Sequence, residues 1–441
     1  MGQRGNEECM DENTSYFDHI STGMPTQQAP RKEKGSGYGL FFAGLIAGIG
    51  GALLIVAVAY LGFGLQGVLE SRSNSQVLGT GVVNERSLSK LQALEGVIDE
   101  YYYLDMVSDE ELQTGIYRGL MDALGDPYTV YYSAEELTTF MEQTEGTYYG
   151  IGAYMTQDLE TTLPMITGVM SGAPAEVSGL RANDLIYEVD GVSVYGMSLE
   201  HAISLIKGPE DTEVTLTIAR EDADGFLDVT LTRARVETPT VTLEMMDNDI
   251  AYIEIVEFDS VSVDQFADAL ATAKASGMKG MILDLRGNPG GSLDAVVDMA
   301  RMILPEGMVV YTENKKGDRE EYTCDGKRQL KVPLVVLVDG NSASAAEIMS
   351  GAIKDYGLGT LVGTTTFGKG IVQQIVPFKD GSAVKITTSA YYTPNGHNIH
   401  GTGIEPDVVC EFDGEAYYGS EDHPDNKLDK AIEVLLGMMG K

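Results

Sequence analysis

From about Asp249 onward, short apolar segments alternate with segments that have helical spacing. Two of the apolar segments have the largely hydrophobic composition that is typical of strands buried on both faces. This alternation predicts a mostly parallel sheet with helices on both faces, and functional sites in such sheets lie at the carboxyl ends of the strands. The predicted strands are Ile250–Ile255, Gly280–Leu285 and Pro333–Val338, and the predicted helices are Val263–Ala275, Leu293–Leu304 and Ala343–Tyr356.

Two glycine-rich turns, 286–291 and 339–344, follow strands of this predicted sheet. The second turn ends on Ser344 at the start of a helix, where backbone N–H groups favour negative charge. This position suits a nucleophile whose attack creates an oxyanion. The pattern also has a structural interpretation, because Ser344 and Glu347 have the spacing of a helix capping box. The Gly-x-Ser-x-Gly turn of α/β-hydrolases is absent, so both interpretations stay open at this point.

A serine nucleophile needs a base, and the sequence offers histidines and a lysine. His397 and His400 have a His-x-x-His spacing, but no third ligand accompanies them, so a metal site has weak support. Lys369 lies between Gly368 and Gly370 and precedes two apolar residues. To act as a base its pKa must fall from about 10.4 to about 7–8, a differential solvation of roughly 4 kcal/mol that burial can supply. The alternative is an exposed lysine in a flexible turn.

Taken together, these segments resemble the C-terminal processing peptidases, also called tail-specific proteases. The resemblance extends from about Leu88 to Asp407. Three segments resemble the catalytic motifs of that family: Ser342-Ala-Ser344-Ala-Ala-Glu347, Gly368-Lys369-Gly370 with Gln373, and Leu285-Arg-Gly-Asn-Pro-Gly-Gly291. Further matches are Gly125-Asp-Pro-Tyr-Thr129, Pro174-Ala175, Gly179-Leu180, Thr393-Pro394-Asn395-Gly396 and Gly403-Ile404.

The resemblance implies roles for several residues. Ser344 would be the nucleophile, Lys369 its general base, and Gln373 the residue that orients the lysine. The N–H groups of Gly291 and Ala345 would form the oxyanion hole. Ala346 departs from the family, which often has a second serine there. If 369–373 were a straight strand, Lys369 and Gln373 would be about 13 Å apart, so a bend or a helical turn is needed for contact.

Residues 146–232 differ from the rest, with short β-rich runs around one amphipathic helix. Leu199, Ile203 and Ile206 mark that helix, which Gly208-Pro209 should end. The resemblance implies that this region is a PDZ domain that binds a chain by strand addition. Its carboxylate-binding loop would be the peptide-binding segment Tyr149, Gly150, Ile151 and Gly152.

The N-terminal part carries an uncharged stretch, Gly39–Leu69, that exceeds the about 20 apolar residues needed to span a bilayer. We predict a single transmembrane helix here, with a cleaved signal peptide as the alternative. Arg31, Lys32 and Lys34 precede it and favour a cytoplasmic N-terminus and an extracytoplasmic protease domain at the cell membrane. Gly44 and Gly48 could pack two spans together, which would give a homodimer.

The predicted fold class is therefore multidomain α/β. It comprises a single transmembrane helix, a helical N-terminal region, a PDZ domain and an α/β serine protease domain like that of the crotonase and Clp-protease group. The predicted ranges are 1–37 for a disordered cytoplasmic tail, 38–69 for the span, 85–145 for the helical region, 146–232 for the PDZ domain, 233–410 for the protease domain and 411–441 for a C-terminal tail or helix.

The expected function is endopeptidase cleavage of extracytoplasmic proteins near exposed C-terminal tails, without a metal or other cofactor. A net charge of −37 argues against nucleic acid as a partner. The alternative from another class is an inactive PDZ scaffold on the membrane, and a weaker one is a metallohydrolase built on His397 and His400. The sequence leaves open whether Cys324 and Cys410 form a disulfide.

Overall fold

The computed structural model describes residues 81–420 and 422–441. The first part of this range is helical and contains one short strand. Two of its helices begin with complete capping boxes, Ser108 with Glu111 and Ser133 with Glu136, so local side chains determine where they start. The elements are α1 (Glu85–Tyr101), α2 (Asp109–Asp122), β1 (Val130–Tyr132) and α3 (Ala134–Glu145).

Residues 147–237 form a small β-rich domain. Its main sheet has the order β3-β4-β5-β7-β8, and β2 and β9 form a separate antiparallel ribbon. Ile166, Ile186 and Leu216 are buried in its core. The predicted helix ending before Gly208 is present as α5. The elements are β2 (Thr147–Gly150), β3 (Ala153–Gln157), β4 (Pro164–Val169), α4 (Pro174–Val177), β5 (Leu185–Val189), β6 (Val192–Ser193), α5 (Leu199–Ile206), β7 (Glu213–Ala219), β8 (Phe226–Thr232) and β9 (Ala234–Glu237).

Residues 241–410 form a larger α/β domain around the predicted sheet. Its first elements are β10 (Val241–Met246), a 3-10 turn (Asp247–Asp249), β11 (Ile250–Ile255), α6 (Ser260–Ala275), β12 (Gly280–Asp284), α7 (Leu293–Ala300), β13 (Glu306–Asn314) and β14 (Arg319–Asp325). They are followed by β15 (Leu334–Val338), α8 (Ala345–Asp355), β16 (Thr360–Gly363), β17 (Ile371–Pro377), β18 (Ala383–Tyr392) and β19 (Val408–Val409). After them come α9 (Gly414–Gly419) and α10 (Asn426–Met438).

The main sheet has the order β10-β11-β12-β15-β16-β19 and is parallel from β11 to β19. Every residue of β12 and β15 is buried, because helices cover both faces. Helices α6, α7 and α8 pack on one face. On the other face, Ala431 and Leu435 of α10 pack against Ile282 and Leu337. The predicted parallel sheet with helices on both faces is confirmed.

A second sheet was not predicted. It has the order β1-β18-β13-β14, with β17 also paired to β18. In it Val130 of β1 pairs with Lys385 of β18, antiparallel. This pairing brings the end of the N-terminal helical part into the α/β domain, next to the segment that follows Lys369.

The predicted fold class is wrong in one component, the single transmembrane helix. Across residues 81–420 and 422–441 no helix is both long and apolar enough to cross a bilayer. Helix α1, with 17 residues, is about 25 Å long and carries charged side chains, against a hydrocarbon core of roughly 30 Å. The predicted span at 38–69, like the predicted tail at 1–37, lies outside the described residues. The fold class is corrected to mixed α/β.

Candidate active site

Ser344 lies in the sharp turn between strand β15 and helix α8. Its backbone has φ 52° and ψ −112°, a conformation that costs a non-glycine residue about 1–3 kcal/mol and persists only where neighbours hold it. Two neighbours do so. The Tyr391 hydroxyl donates to the Ser344 carbonyl oxygen at 3.0 Å, and the Ser344 N–H donates to Glu347 Oε2 at 2.9 Å. The turn therefore holds the half-buried serine in one backbone conformation at the carboxyl end of a buried strand.

Glu347 joins the serine segment to the lysine segment. Its carboxylate is fully buried and accepts four hydrogen bonds, all from this region. Oε2 accepts from the N–H groups of Ser344 and Lys369, both at 2.9 Å. Oε1 accepts from the Thr366 hydroxyl at 2.6 Å and the Gly368 N–H at 2.7 Å. One carboxylate therefore holds the backbones of the two predicted catalytic residues together.

The position of Glu347 goes beyond the capping role that its spacing suggested. The sequence carries a signal for this, because Glu347 is the only charged residue between Ala345 and Ile353, and this part of helix α8 is buried in the structure. A glutamate in such a helix must point into the protein, where it needs several hydrogen-bond donors.

Lys369 is half-buried just before strand β17. Its Nζ lies 4.5 Å from the centroid of the ring of Tyr128, a residue of the Gly125–Thr129 motif to which the sequence assigns no role. Burial lowers the pKa of the Lys369 ammonium and the charge of Lys385 lowers it further, whereas the carboxylates of Asp126 and Glu347 act in the opposite direction. The net lowering is the direction that a general base requires.

The glycines beside Lys369 serve close packing. A Cβ at Gly370 would lie 2.6 Å from the backbone nitrogen of His400. A Cβ at Gly368, where φ is +90°, would lie 2.9 Å from the backbone nitrogen of Gly403. The loop at 400–403 thus packs directly on the lysine segment, which rules out the alternative of a flexible, exposed turn.

Gln373 lies in strand β17, at a register shift between Val372 and Gln373 relative to β18. Its Nε2 donates to Thr387 Oγ1 at 3.2 Å. Within the described residues, Lys369 Nζ makes no hydrogen bond to Ser344 or Gln373, so the structure brings the backbones together but not these side-chain atoms. Neither a straight strand nor a helical turn applies, since the strand begins at Ile371 and carries a bulge.

The predicted oxyanion donors lie on two turns that touch. A Cβ at Gly290 would lie 2.7 Å from Ser344 Cβ and 2.9 Å from the Ala345 nitrogen. The turn is held by Asn288, whose Oδ1 accepts from the Gly290 N–H and whose carbonyl accepts from the Ala343 N–H. In the described part of the chain, the N–H groups of Gly291 and Ala345 donate no hydrogen bond, so both stay available as donors.

The predicted peptide-binding segment lies in the small domain, where Tyr149 and Gly150 belong to strand β2 and only Ile151 and Gly152 connect β2 to β3. Ile151 is buried, and Gly152 has φ +71°, with its Cα so close to Ala173 that a side chain would not fit. Gly150 ends β2. Beside Tyr149 is a cleft of about 320 Å³, lined also by Glu142, Ser204, Lys207, Gly208 and Pro209.

The remaining candidates lie apart from this site or form no cluster. His397 and His400 are exposed, and no group of three or more His, Cys, Asp or Glu side chains in residues 81–420 and 422–441 is arranged to hold a metal ion. Cys324 and Cys410 are both free thiols, which answers the open question of a bridge between them.

Comparisons with known proteins agree on the class of enzyme. The model of peptidase family S41 matches residues 249–410, and a PDZ domain model matches residues 165–220. The carboxy-terminal processing protease CtpA of Bacillus subtilis (strain 168) is 36% identical over 343 residues, which cover 77% of this chain and 72% of that protein. A probable CtpA-like serine protease of Staphylococcus aureus (strain COL) is 35% identical over 341 residues, covering 77% and 68%.

Among solved structures, the photosystem II D1 C-terminal processing protease is 30% identical, covers 75% of this chain and 94% of that chain, and has a TM-score of 0.43. The identity with curated relatives, over most of both chains, decides the classification. The chain belongs to the S41 family of carboxy-terminal processing serine peptidases and carries a PDZ domain.

Proposed function

We propose that this peptidase uses Ser344 as its nucleophile and Lys369 as its general base. The observation that carries the proposal is the buried Glu347 carboxylate, which accepts from the N–H groups of both residues at 2.9 Å. The lowered pKa of Lys369 supports it, because a protonated amine cannot accept the serine proton. Gln373 is proposed to orient the amine of Lys369.

The proposed reaction is acyl transfer to Ser344. Neutral Lys369 takes the hydroxyl proton while Ser344 Oγ bonds to the peptide carbonyl carbon, and the N–H groups of Gly291 and Ala345 hold the oxyanion. Lys369 then gives its proton to the leaving amine as the C–N bond breaks. Water attacks the acyl-enzyme with Lys369 again as base, which releases the acid and regenerates the serine.

The test is cleavage of an unfolded reporter protein by the full chain, beside Ser344→Ala and Lys369→Ala. Both variants should be folded and inactive. Activity in Ser344→Ala would remove the nucleophile assignment, and activity in Lys369→Ala would remove the base assignment.

We propose further that the PDZ domain selects substrates by their C-terminal carboxylate. Support comes from the short connection Ile151–Gly152 between strands β2 and β3, and from Tyr149 of β2, which lines a cleft. Backbone N–H groups in such a loop bind a terminal carboxylate, and the open strand edge binds the chain before it. Peptides ending in a free acid should bind more tightly than the same peptides amidated. Equal binding would contradict this part of the proposal.

The location of the peptidase in the cell remains a proposal from the sequence, which favours the extracytoplasmic side. Protease added to intact cells should then digest the C-terminal part of the chain. Protection of that part until the cells are lysed would overturn the proposed location.

A further inference from the structure

The side-chain amine of Lys369 lies over an aromatic ring from the N-terminal part of the chain. Its Nζ is 4.5 Å from the centroid of the Tyr128 ring. In residues 81–420 and 422–441, this Nζ forms no hydrogen bond and no ion pair, and the Tyr128 hydroxyl forms no hydrogen bond either. The contact is therefore one between the amine and the face of the ring, in which the hydroxyl takes no part.

Tyr128 is held in place by its own turn and by strand β18. The Asp126 carboxylate accepts from the Tyr128 N–H at 3.0 Å and from the Thr129 hydroxyl at 2.6 Å. Thr129 is buried, and its hydroxyl oxygen accepts from the Thr387 N–H of β18 at 3.2 Å. None of these hydrogen bonds involves the lysine segment, so the position of the ring does not depend on the side chain of Lys369.

Strand β18 places both residues of the contact. Lys385 of β18 is paired with Val130 of β1 on one edge and with Ile375 of β17 on the other. Strand β1 follows Tyr128 and strand β17 follows Lys369, so this pairing brings the two residues together. Tyr128 lies outside the range that the peptidase family model matches, yet it contacts the proposed base.

The face of an aromatic ring is negatively polarised, so it attracts a cation more strongly than a neutral amine. In the proposed reaction, Lys369 is neutral until the proton of Ser344 moves from Oγ to Nζ while Oγ bonds to the peptide carbonyl carbon. We propose that the face of the Tyr128 ring stabilises the positive charge that Lys369 acquires in this step. This inference rests on the proposed function, because it takes Lys369 as the base.

Such an interaction accelerates the reaction because it is stronger in the transition state than in the ground state with neutral lysine. The attraction extends to about 6 Å from the ring centroid, so it does not require a single position of the amine. Lys369 takes a proton again when water attacks the acyl-enzyme, so the ring acts in the same way in both halves of the reaction.

The proposal predicts a pH dependence that a merely structural role of Tyr128 does not. Loss of the ring destabilises protonated Lys369 both in the free enzyme and in the transition state, where the lysine already carries the proton. The maximal rate at high pH then falls, while the fraction of neutral lysine at low pH rises by the same factor. The two changes cancel on the acid limb of the pH–rate profile, so the rates of variant and wild type should coincide there and separate on the plateau.

Other charged groups also act on this lysine or on its neighbours, namely Lys385, Asp126, Glu347 and His400. Burial lowers the pKa of Lys369 most, the charge of Lys385 lowers it further, and the two carboxylates raise it. His400, whose loop packs on the lysine segment, acts on Asp126. A substitution of Tyr128 leaves all four groups in the chain, so a change in the shape of the profile reports on the ring.

The experiment measures kcat for an unfolded reporter against pH, with the full chain. Tyr128→Leu keeps an apolar side chain beside the amine and removes the ring. It should lower the high-pH plateau about fivefold, equivalent to about 1 kcal/mol, and move the midpoint of the acid limb to lower pH. Rates on the acid limb should stay at the wild-type value. Tyr128→Phe keeps the ring and should restore the plateau.

The matched control is Tyr131→Leu, which replaces another half-buried tyrosine of the same segment. The ring of Tyr131 contacts the ring of Tyr117 rather than a cation, so this variant should have the wild-type profile. Unfolding midpoints confirm that each variant is folded.

Three results would overturn the inference. These are a wild-type plateau in Tyr128→Leu, an equal loss of rate in that variant at every pH, and a Tyr128→Phe variant as impaired as Tyr128→Leu. Ser344→Ala and Lys369→Ala, assayed in parallel, separate the inference from the proposed function. If both are inactive while one of these three results is obtained, the inference alone fails, whereas activity in either variant means that the proposed dyad fails.

Discussion

Replacing Glu347 by glutamine should have a large effect on both stability and catalytic rate, and the hydrogen bonds of the carboxylate show why. The side chain keeps its size but exchanges one carboxylate oxygen for an NH₂ group. In one orientation the NH₂ faces the N–H groups of Ser344 and Lys369, which are both donors only. In the other it faces the Gly368 N–H and the Thr366 hydroxyl, and the hydroxyl can turn and accept from it. The second orientation is therefore favoured, and it loses one hydrogen bond, from the Gly368 N–H, in the fully buried site.

A hydrogen bond to a charged group contributes about 1.5–3 kcal/mol, so Glu347→Gln should lower the free energy of unfolding by roughly 1.5–3 kcal/mol. At the lower end this corresponds to a fall in Tm of about 3–6 °C for a domain of this size. The catalytic rate should also fall, by roughly tenfold, because a neutral amide oxygen holds the backbones of Ser344 and Lys369 together less strongly than a carboxylate does. The assays are thermal unfolding by circular dichroism and reporter cleavage at a temperature where the variant is folded.

The matched control is Glu110→Gln, an exposed glutamate that also lies in the first turn of a helix. It should change neither Tm nor rate. If Glu347→Gln unfolded at the wild-type temperature and cleaved the reporter at the wild-type rate, the view of Glu347 as the link between the two segments would be refuted.

Three further outcomes are expected. Turnover should rise with pH through an apparent pKa below that of free lysine, since burial lowers the pKa of Lys369. The Lys369→Arg variant should be nearly inactive because guanidinium stays charged. Near-wild-type turnover of that variant would contradict the base assignment. Gly370→Ala should lower activity, since its Cβ would lie 2.6 Å from the His400 nitrogen. The control Gly119→Ala, at a helical site with open space, should stabilise the protein by about 1 kcal/mol. Equal effects of the two substitutions would argue against close packing at Gly370. Burial, aided by a neighbouring carboxylate, raises the pKa of Glu257 to about 7. Its contribution to stability is therefore full below about pH 4.5 and lost as pH rises through 7, so Glu257→Gln should flatten the change in unfolding midpoint between pH 5 and 8, and an unchanged slope would refute this.

The parallel sheet could be predicted because the apolar composition of its strands indicates that they are buried. Leu334–Val338 is apolar at every position, and only a strand covered on both faces requires this. The second sheet has no such local signal. It depends on pairing between residues as distant as Val130 and Lys385, and the sequence around Val130 is dominated by helical patterns.

The same limit applies to the site. The segments around Ser344 and Lys369 could be recognised from their motifs. For the carboxylate that joins them, the spacing from Ser344 indicates only a possible helix cap, because spacing alone does not show which way Glu347 points. The contact between Tyr128 and Lys369 depends on the unpredicted sheet, so no pattern near either residue could indicate it. The roles of Ser344, Lys369 and Gln373 in catalysis stay predictions.

The ribbon of β2 and β9 has a consequence for how the chain is divided into domains. Thr147 and Glu237 are opposed in it, so the chain enters and leaves the PDZ domain at points about 5 Å apart. The PDZ domain is thus an insertion into the peptidase, whose second sheet uses β1 from before the insertion and β18 from after it. The inserted domain could be excised and the two ribbon strands joined by a tight turn. By the same geometry, the ribosome must complete the entire insertion before the peptidase sheet can close.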